Sequence, residues 1–383
     1  MENMFLFKTP GTSIPEIDSI GYFRLTNDDP CTFHLVSATK KKVLVSLVVS
    51  FEENEFKLEK EWSREIKSPV WDINASIDIP SRDFPLIFTA REDGHFHAYT
   101  HEGVPAWSHD FMATISPFKV YQDPFMPDQV VLIPSLDKTL RLLTAKDGKL
   151  LWGDTFASGV NVATHQIDDK EEIHYIAAGG NDHTLRLYSR SNKGAFAYKM
   201  DWYNKFESYV RDISISREGL VAAVADDGYL KVIDVKNGEE KWRHEHNSFA
   251  WKCKVIDGPG IVLSTSFQVP IQVDETGELL GNPGVISCHE VTTGKLKWST
   301  RPEDGINIQC WEIVERRGKW LAILGLTSGK IIVLDGMTGK ALQEFESGFP
   351  INQMKSLEIN DRLVILACQE DEKESLILGI SSE

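Results

Sequence analysis

The chain has 383 residues, of which 42% are hydrophobic and 26% charged. This is ordinary globular composition, so it excludes global disorder. Because 57 acidic residues outnumber 41 basic ones, the formal net charge is −16. A field of that sign repels phosphate backbones, and we expect no nucleic-acid partner.

The first residues show no secretory signal, since they lack a basic region and an apolar core of seven residues or more. No apolar stretch approaches the roughly 18–20 residues of a spanning helix, and we expect no membrane insertion. Scattered cysteines, odd in number, favour buried thiols over a disulfide framework. They are Cys31, Cys253, Cys288, Cys310 and Cys368. These features predict a cytoplasmic protein.

The N-terminal part predicts four short strands within roughly residues 18–66. Their apolar runs are 22–25, 32–36, 43–49 and 56–58, the last leading into Trp62. Four short strands in a unit of this length are typical of one β-propeller blade. An earlier apolar run, Met4 to Phe7, precedes this unit.

From residue 86 onward the same pattern recurs. Apolar strands are predicted at 86–90, 130–133, 176–178 and 220–224. Turns such as Asp226-Asp227-Gly228 follow them and lead into alternating strands such as 229–233, which is hairpin chemistry. We interpret the Asp-rich clusters as turns.

Tryptophans mark the repeat. They stand at Trp62, Trp107, Trp152, Trp202, Trp242 and Trp298, spaced by 45, 45, 50, 40 and 56 residues, and Phe345 follows after 47. A glycine precedes several of them by four residues, at Gly103, Gly148, Gly238 and Gly294, and Gly339 stands four before Gln343. We predict that each glycine takes a positive φ in a tight turn. We also predict that Trp152, Trp242 and Trp298 are structural, with rings buried between blades.

The repeat length of about 47 residues predicts a single all-β domain, residues 1–383, that forms an eight-bladed propeller of four-stranded antiparallel blades. The C-terminal tail supplies only three strands, at 354–359, 363–367 and 376–380. Met4 to Phe7 is predicted to be the fourth strand, which closes the ring and removes a free sheet edge. The alternative is seven blades with an irregular N-terminal segment.

The segments Thr293 to Trp298, Asp147 to Trp152 and Asn237 to Trp242 resemble the repeats of pyrroloquinoline-quinone-type (quinoprotein-like) propellers. That resemblance implies blades that are usually eight in number, each tryptophan docking on the next blade. It also covers both quinone-dependent dehydrogenases and non-catalytic scaffolds.

Two weaker resemblances are to FG-GAP and WD40 propellers. The segment Asn74 to Tyr99, which contains 78–83, resembles the FG-GAP repeats. Pro80 and Arg82 stand where the calcium loop of those repeats needs carboxylate ligands, so calcium is not expected there. No Gly-His and Trp-Asp pair occurs at blade spacing, because Val70-Trp71-Asp72 begins a predicted strand.

The sequence favours a non-enzymatic scaffold that binds protein partners through propeller faces. It lacks adjacent cysteines and a recognisable calcium set, so we expect no enzyme activity, cofactor or metal. The alternative is a binder of a small molecule or quinone-like cofactor with redox activity. The histidine pairs 95/97 and 244/246 are interpreted as polar strand faces, since zinc would need a third ligand.

One candidate partner site follows from aligning the blades on their tryptophans. Trp71, Arg211, Trp251 and Trp311 then stand near the starts of inner strands, which surround the mouth of the central channel. Large aromatic and Arg side chains are the residue types that dominate protein interfaces. We therefore predict a partner-binding mouth at these four residues.

Overall fold

The computed structural model describes residues 4–7, 17–25, 28–29, 31–39, 41–52, 55–76, 85–193, 197–267, 272–273, 279–280, 284–302, 306–347, 350–359, 362–368 and 376–382. Secondary structure in this part of the chain is built from β-strands and turns. Within it, no helix is long and apolar enough to cross a membrane.

The strands form four-stranded antiparallel sheets, named A to H here, as predicted for a propeller. The chain begins with β1 (Met4–Phe7), which belongs to sheet H. Sheet A contains β2 (Ile17–Phe23), β3 (Thr32–Thr39), β4 (Val43–Glu52) and β5 (Glu55–Glu65). Sheet B contains β6 (Val70–Ala75), β7 (Leu86–Arg91), β8 (His95–Thr100) and β9 (Pro105–Asp110). Sheet C contains β10 (Lys119–Gln122), β11 (Gln129–Pro134), β12 (Thr139–Thr144) and β13 (Leu150–Thr155).

The next two sheets follow the same order. Sheet D contains β14 (Val160–Ile167), β15 (Ile173–Gly180), β16 (Thr184–Ser191) and β17 (Lys199–Lys205). Sheet E contains β18 (Val210–Ile215), β19 (Leu220–Ala225), β20 (Tyr229–Asp234) and β21 (Glu240–Glu245).

Sheet F carries the insertion. It contains β22 (Phe249–Ile256), β23 (Ile261–Phe267), β26 (Ile286–Glu290) and β27 (Leu296–Thr300), and between β23 and β26 lies a small hairpin of β24 (Gln272–Val273) and β25 (Leu279–Leu280). Sheet G contains β28 (Ile308–Arg316), β29 (Lys319–Leu326), β30 (Lys330–Asp335) and β31 (Ala341–Glu346).

Sheet H joins the two ends of the chain. It contains β32 (Gln353–Ile359), β33 (Arg362–Cys368) and β34 (Leu376–Ser382), and β1 pairs with β34 in antiparallel register from Met4 opposite Ser382 to Phe7 opposite Gly379. This is the place predicted for the N-terminal strand.

Buried apolar clusters lie between successive sheets. Phe88 of sheet B packs in one cluster with Ile133 of sheet C, and Phe33 of sheet A packs in another with Val364 of sheet H. Clusters of this kind join A to B, B to C and so on to G to H, and the last joins H back to A. Each sheet therefore buries both of its faces, as a propeller blade does.

The predicted tryptophans form joints between sheets. Gly294 has φ of +74°, and a Cβ added to it would lie only 2.6 Å from Cδ2 of Trp242, so the ring lies directly on the glycine of the next sheet. The indole Nε1 of Trp242 also donates to the carbonyl oxygen of Val291 at 2.8 Å. The same ring-on-glycine contact pairs Trp62 with Gly103, Trp107 with Gly148, Trp202 with Gly238, and Trp298 with Gly339. A glycine is thus needed at this position for two reasons: it adopts a positive φ without strain, and its missing side chain leaves room for the tryptophan ring.

Two joints depart from this pattern. Trp152 contacts the rings of Tyr188 and Tyr198 and donates to the Tyr198 carbonyl oxygen at 3.1 Å, and it meets no glycine among the residues that the structure describes. In sheet G, Gln343 takes the tryptophan register opposite Val333, while the buried Phe345 stands two residues later in the core between G and H. The predicted aromatic replacement is therefore on the same strand but in a different register.

The Asp-rich clusters are turns, as interpreted. Asp227 accepts hydrogen bonds from the backbone N–H of Tyr229 and of Glu207, both at 3.0 Å. The second bond joins the turn to the segment that enters the sheet, so both carboxylate oxygens stabilise the turn.

Candidate functional site

The inner strands of six sheets share a β-bulge near their first residue. The pairing of β2, β6, β14, β18, β22 and β28 with the following strand skips one residue there. The skipped residues are Asp18, Trp71, Asn161, Arg211, Trp251 and Gln309. A bulged residue is left out of the ladder and bends its strand, and bulges are enriched next to functional sites.

Three of the four predicted site residues occupy these bulges: Trp71, Arg211 and Trp251. The predicted equivalence of Trp311 to them is wrong. Trp311 pairs with Leu324, two positions beyond the bulged Gln309, and packs against the core between sheets F and G.

The cause is the length of one connection. The bulge follows the tryptophan by nine residues in four cases, which are Trp62 to Trp71, Trp152 to Asn161, Trp202 to Arg211 and Trp242 to Trp251. It follows Trp298 by eleven, at Gln309. The segment between Trp298 and the bulge of β28 is therefore two residues longer, and the position equivalent to Trp71 is Gln309 rather than Trp311.

Strand direction places the bulges at one end of the molecule. Neighbouring strands of an antiparallel sheet run in opposite directions. The start of the first strand therefore lies at the same end of the sheet as the end of the second, the start of the third and the end of the fourth. We call this the mouth end. Exposed apolar side chains gather there: Trp71 is 55% exposed, and Tyr209 and Phe249, beside two other bulges, are each 40% exposed. Met112 and Leu136 are exposed in turns at the same end.

Arg211 and Trp251 form one contact across sheets E and F. The guanidinium carbon of Arg211 lies 5.8 Å from the ring centroid of Trp251 and 5.4 Å from that of Tyr209. The guanidinium Nε donates to Asp226 Oδ1 at 2.7 Å, and Nη2 also contacts this carboxylate. Trp251 stacks on Phe267 with centroids 4.9 Å apart. The Arg is held by a carboxylate and sandwiched beside aromatic rings, a rigid and partly exposed arrangement.

Trp71 lies in sheet B, three sheets along the ring from Arg211 in sheet E. The structure thus places three predicted residues at the mouth end but brings only Arg211 and Trp251 into contact. Tyr209 and Phe249 belong to the same surface and were missed by the sequence reasoning. The sequence could have indicated them, because each is an aromatic residue that stands two positions before a predicted site residue, Arg211 or Trp251.

The rings of the predicted histidine pairs contact neighbouring side chains. The ring of His95 lies near Asp93 and Asp110, with nitrogen–oxygen distances of 3.2 and 3.3 Å, and His97 stacks on Tyr99. Among the residues that the structure describes, no group of three or more His, Cys, Asp or Glu side chains is arranged to hold a metal ion.

His244 and His246 meet a third histidine, His289, between sheets E and F. The His244 ring centroid is 4.3 Å from that of His289 and 4.8 Å from that of His246, and His246 Nε2 lies 2.9 Å from the Ser264 hydroxyl. Burial, followed by the neighbouring His244, lowers the pKa of His246 to about 3 and that of His289 to about 4. Both rings are therefore uncharged at neutral pH.

A buried polar network between sheets C and D was not predicted. Asp123 accepts from Arg190 Nη2 at 2.5 Å and from the Tyr198 hydroxyl at 3.3 Å, and that hydroxyl lies 2.7 Å from His174 Nδ1. His174 Nε2 in turn lies 3.3 Å from Nδ1 of His165. These residues come from separate strands and loops with no common spacing, so no motif announces them. We assign the network a structural role, because it satisfies buried charges at the sheet interface.

No family model and no curated protein matches the chain. Solved structures do. The chain is similar to Saccharomyces cerevisiae Sqt1, with a TM-score of 0.72 and 12% identity over 99% of both chains. It is also similar to the C-terminal WD40 domain of Sif2, with a TM-score of 0.68 and 14% identity over 97% of this chain and 98% of that one.

These similarities show a fold shared with a WD40 domain, and they do not support the pyrroloquinoline-quinone-type resemblance. The physical reason lies in what the repeat encodes. The Gly-x-x-x-Trp pattern specifies a joint between blades, and that joint carries no information about a cofactor. The FG-GAP-like loop at 78–83 lies outside the described residues.

Proposed function

We propose that this protein is a non-enzymatic scaffold that binds protein partners through its mouth end. The supporting observation is the surface formed by Arg211 and Trp251 with Tyr209 and Phe249. Aromatic and Arg side chains at partly desolvated positions contribute most to binding energy at protein interfaces. On this surface these side chains are partly exposed, and blade packing does not explain their exposure.

Trp71 is the second part of this proposed surface. Its side chain is 55% exposed at the bulge of β6, whereas the joint tryptophans are largely covered by the next sheet. A tryptophan left in water loses the free energy that its burial would supply, about 25 cal/mol per Å² of apolar surface. A partner that covers Trp71 recovers it.

We further infer that the chain is one domain of eight blades. Seven sheets, A to G, each use one continuous segment, and sheet H combines both chain ends. The apolar clusters join these sheets in a closed circuit. Counting blades from an experimental structure tests this inference, and a ring of seven with sheet H or sheet A outside it would contradict it.

We place the protein in the cytoplasm, with its five cysteines as free thiols. Burial raises the pKa of the thiols of Cys253 and Cys310 well above the usual range, and that of Cys288 to about 12. Such thiols are unreactive and consistent with packing roles. Fluorescence microscopy of the tagged protein in its native cell checks the location.

The test is quantitative affinity capture from the native cell with three proteins: wild type, Arg211→Ala/Trp251→Ala, and the control Met200→Ala/Tyr203→Ala on the outer strand β17. Met200 and Tyr203 are 51% and 57% exposed, so the control removes comparable apolar surface. We expect partners that wild type and control retain equally and that the mouth variant loses at least tenfold, since hot-spot residues contribute about 2 kcal/mol or more. Equal retention by all three proteins, or equal loss in both variants, contradicts the proposal.

A further inference from the structure

The mouth-end turns of sheets C and D share an ion pair. In sheet C, the carboxylate of Asp137 lies 3.1 Å from Nη2 of Arg141. In sheet D, the carboxylate of Asp182 lies 3.2 Å from Nη2 of Arg186. Each carboxylate also accepts from the backbone N–H two residues later and from the segment that enters the sheet. The arginine stands four residues after the aspartate in both cases, so each turn neutralises its own aspartate.

Sheet E keeps this turn but lacks the arginine. Its aspartate is Asp227, which makes the same two kinds of backbone hydrogen bond, both at 3.0 Å. Four residues later stands Lys231, whose Nζ donates to the carbonyl oxygen of Lys205 at 3.0 Å and lies 3.9 Å from Glu240 Oε2. Within the described ranges of the chain, no Lys, Arg or His side chain lies within ion-pair distance of Asp227. The turn of sheet E therefore leaves its aspartate without a cation.

The chemistry of the two basic side chains explains the missing pair. Arg186 divides its contacts between two nitrogens, since Nη1 donates to the Thr155 carbonyl oxygen at 3.0 Å while Nη2 reaches Asp182. Lysine carries a single nitrogen and cannot serve both positions. Lys231 keeps the other contact of these arginines, a place over an aromatic ring, 4.2 Å from the centroid of Phe206. An arginine at position 231 would thus fit the same surroundings.

A second acid stands beside Asp227. Glu207 donates its backbone N–H to the Asp227 carboxylate, and its side chain is exposed. The residues that donate to the turn aspartate in the same way in sheets C and D are uncharged, Met112 and Ala157. Sheet E thus removes an internal cation and adds a carboxylate at one place.

This place adjoins the proposed partner surface. Tyr209 follows Glu207 by two residues, is 40% exposed, and has its ring centroid 5.4 Å from the guanidinium carbon of Arg211. Arg211 does not neutralise the two acids, because its guanidinium pairs with Asp226. An exposed aromatic ring beside carboxylates suits a basic side chain, whose stem lies on the ring while its charged end pairs with the acids.

We propose that the protein partner presents an arginine side chain to this place, with its guanidinium on Asp227 and Glu207 and its stem against Tyr209. The partner's arginine then supplies the cation that Arg141 and Arg186 supply inside sheets C and D. This inference rests on the proposed function, and it adds the chemistry that the partner must carry.

The first test is a titration of the isotope-labelled full-length protein with acetyl-arginine methylamide, followed by nuclear magnetic resonance. We expect shifts of the amide signals of Glu207 and Tyr229, because both N–H groups donate to the Asp227 carboxylate. The uncharged isostere acetyl-citrulline methylamide should leave them unchanged. Absence of shifts at these two amides, or equal shifts with the citrulline probe, overturns the proposal.

The variant Lys231→Arg places the missing guanidinium inside the chain. It should compete with the probe and weaken its binding at least about twofold, as expected for a partly exposed ion pair. The matched control is Lys199→Arg, at an exposed lysine of the outer strand β17, which should bind the probe as wild type does. Equal affinity in Lys231→Arg and wild type contradicts the proposal.

Affinity capture from the native cell separates this inference from the proposed function. Partners that depend on Arg211 and Trp251 should also be weakened in Lys231→Arg and in Glu207→Gln. The control Glu239→Gln, which removes an exposed acid from an outer turn, should retain them. If Lys231→Arg and Glu207→Gln retain those partners fully, this inference is wrong and the proposed function stands. If Arg211→Ala/Trp251→Ala retains every partner as well, both are wrong.

Discussion

The outer strands and the inner strands of this propeller follow different rules. On five outer strands a tryptophan lies on the glycine of the next sheet, and these tryptophans are Trp62, Trp107, Trp202, Trp242 and Trp298. On the inner strands the backbone bulge recurs, but the bulged residue differs from strand to strand: Asp18, Trp71, Asn161, Arg211, Trp251 and Gln309. The residue type is therefore repeated where it holds neighbouring sheets together. At the bulges the backbone is repeated but the residue type varies, so these positions are available for binding.

The largest test of the ring is removal of residues 1–9. The deletion removes β1 and leaves β34 with an unpaired edge. We expect the loss of several kcal/mol, or aggregation, against a total stability on the order of 5–15 kcal/mol. Chemical denaturation of the truncated and full-length proteins measures this. Superimposable unfolding curves would show that β1 does not stabilise the ring.

Truncation of one joint comes next. Trp242→Ala removes a ring that contacts Gly294 and the hydrogen bond to the Val291 carbonyl. We expect a loss of about 3–5 kcal/mol in the free energy of unfolding. Trp71→Ala is the matched comparison at the mouth end, and it should cost far less because that ring is 55% exposed. Similar losses of unfolding free energy in the two variants would contradict the assignment of Trp242 to a structural joint and of Trp71 to an exposed binding surface.

The glycine side of the joint can be separated into backbone strain and lost space. Gly294 and Gly219 both have positive φ, +74° and +92°, but only at Gly294 would a Cβ meet a ring, whereas nothing lies within 4 Å at Gly219. Both alanine variants carry the cost of positive φ, roughly 1–2 kcal/mol. We expect Gly294→Ala to cost a further 1–3 kcal/mol or so through overpacking. Equal costs in thermal unfolding would show that Trp242 does not depend on the missing side chain.

Acid should weaken the structure gradually. Burial is the largest cause of the lowered pKa values of four histidines, about 3 for His165 and His246 and about 4 for His97 and His289. Their pKa in the unfolded chain is about 6.5, so below that pH the unfolded state binds more protons and gains stability. The free energy of unfolding should be constant above about pH 7 and fall as pH decreases, by up to about 1.4 kcal/mol per pH unit for each histidine.

The double variant His165→Gln/His246→Gln isolates half of this effect. Guanidinium denaturation at pH 7.5, 6 and 5 should give a flatter decline than in wild type. Parallel declines in the two proteins would show that these two rings are not the source.

The sequence was sufficient for the strands and the joints because both have short-range signals. Alternating residues predict β12, β20 and β30, and the Gly-to-Trp spacing predicts the joints. The mouth was only partly predictable, because the segment before β28 is longer than in the other blades. The bulge of β28 is therefore at Gln309, and Trp311 packs against the core. The Asp123–Tyr198–His174 network depends on distant segments that meet only in the ring, so no local pattern reveals it.

Site-specific cross-linking tests the proposed mouth most directly. A photoreactive benzoylphenylalanine is placed at Tyr209, at the mouth end, or at Tyr203, on the outer strand β17, and the protein is irradiated in its native cell. Both side chains are exposed, 40% and 57%, and both are tyrosines, so the substitutions are matched. The account predicts a discrete cross-linked protein partner from Tyr209 and none from Tyr203. The same partner cross-linked equally from both positions, or from Tyr203 alone, would contradict it.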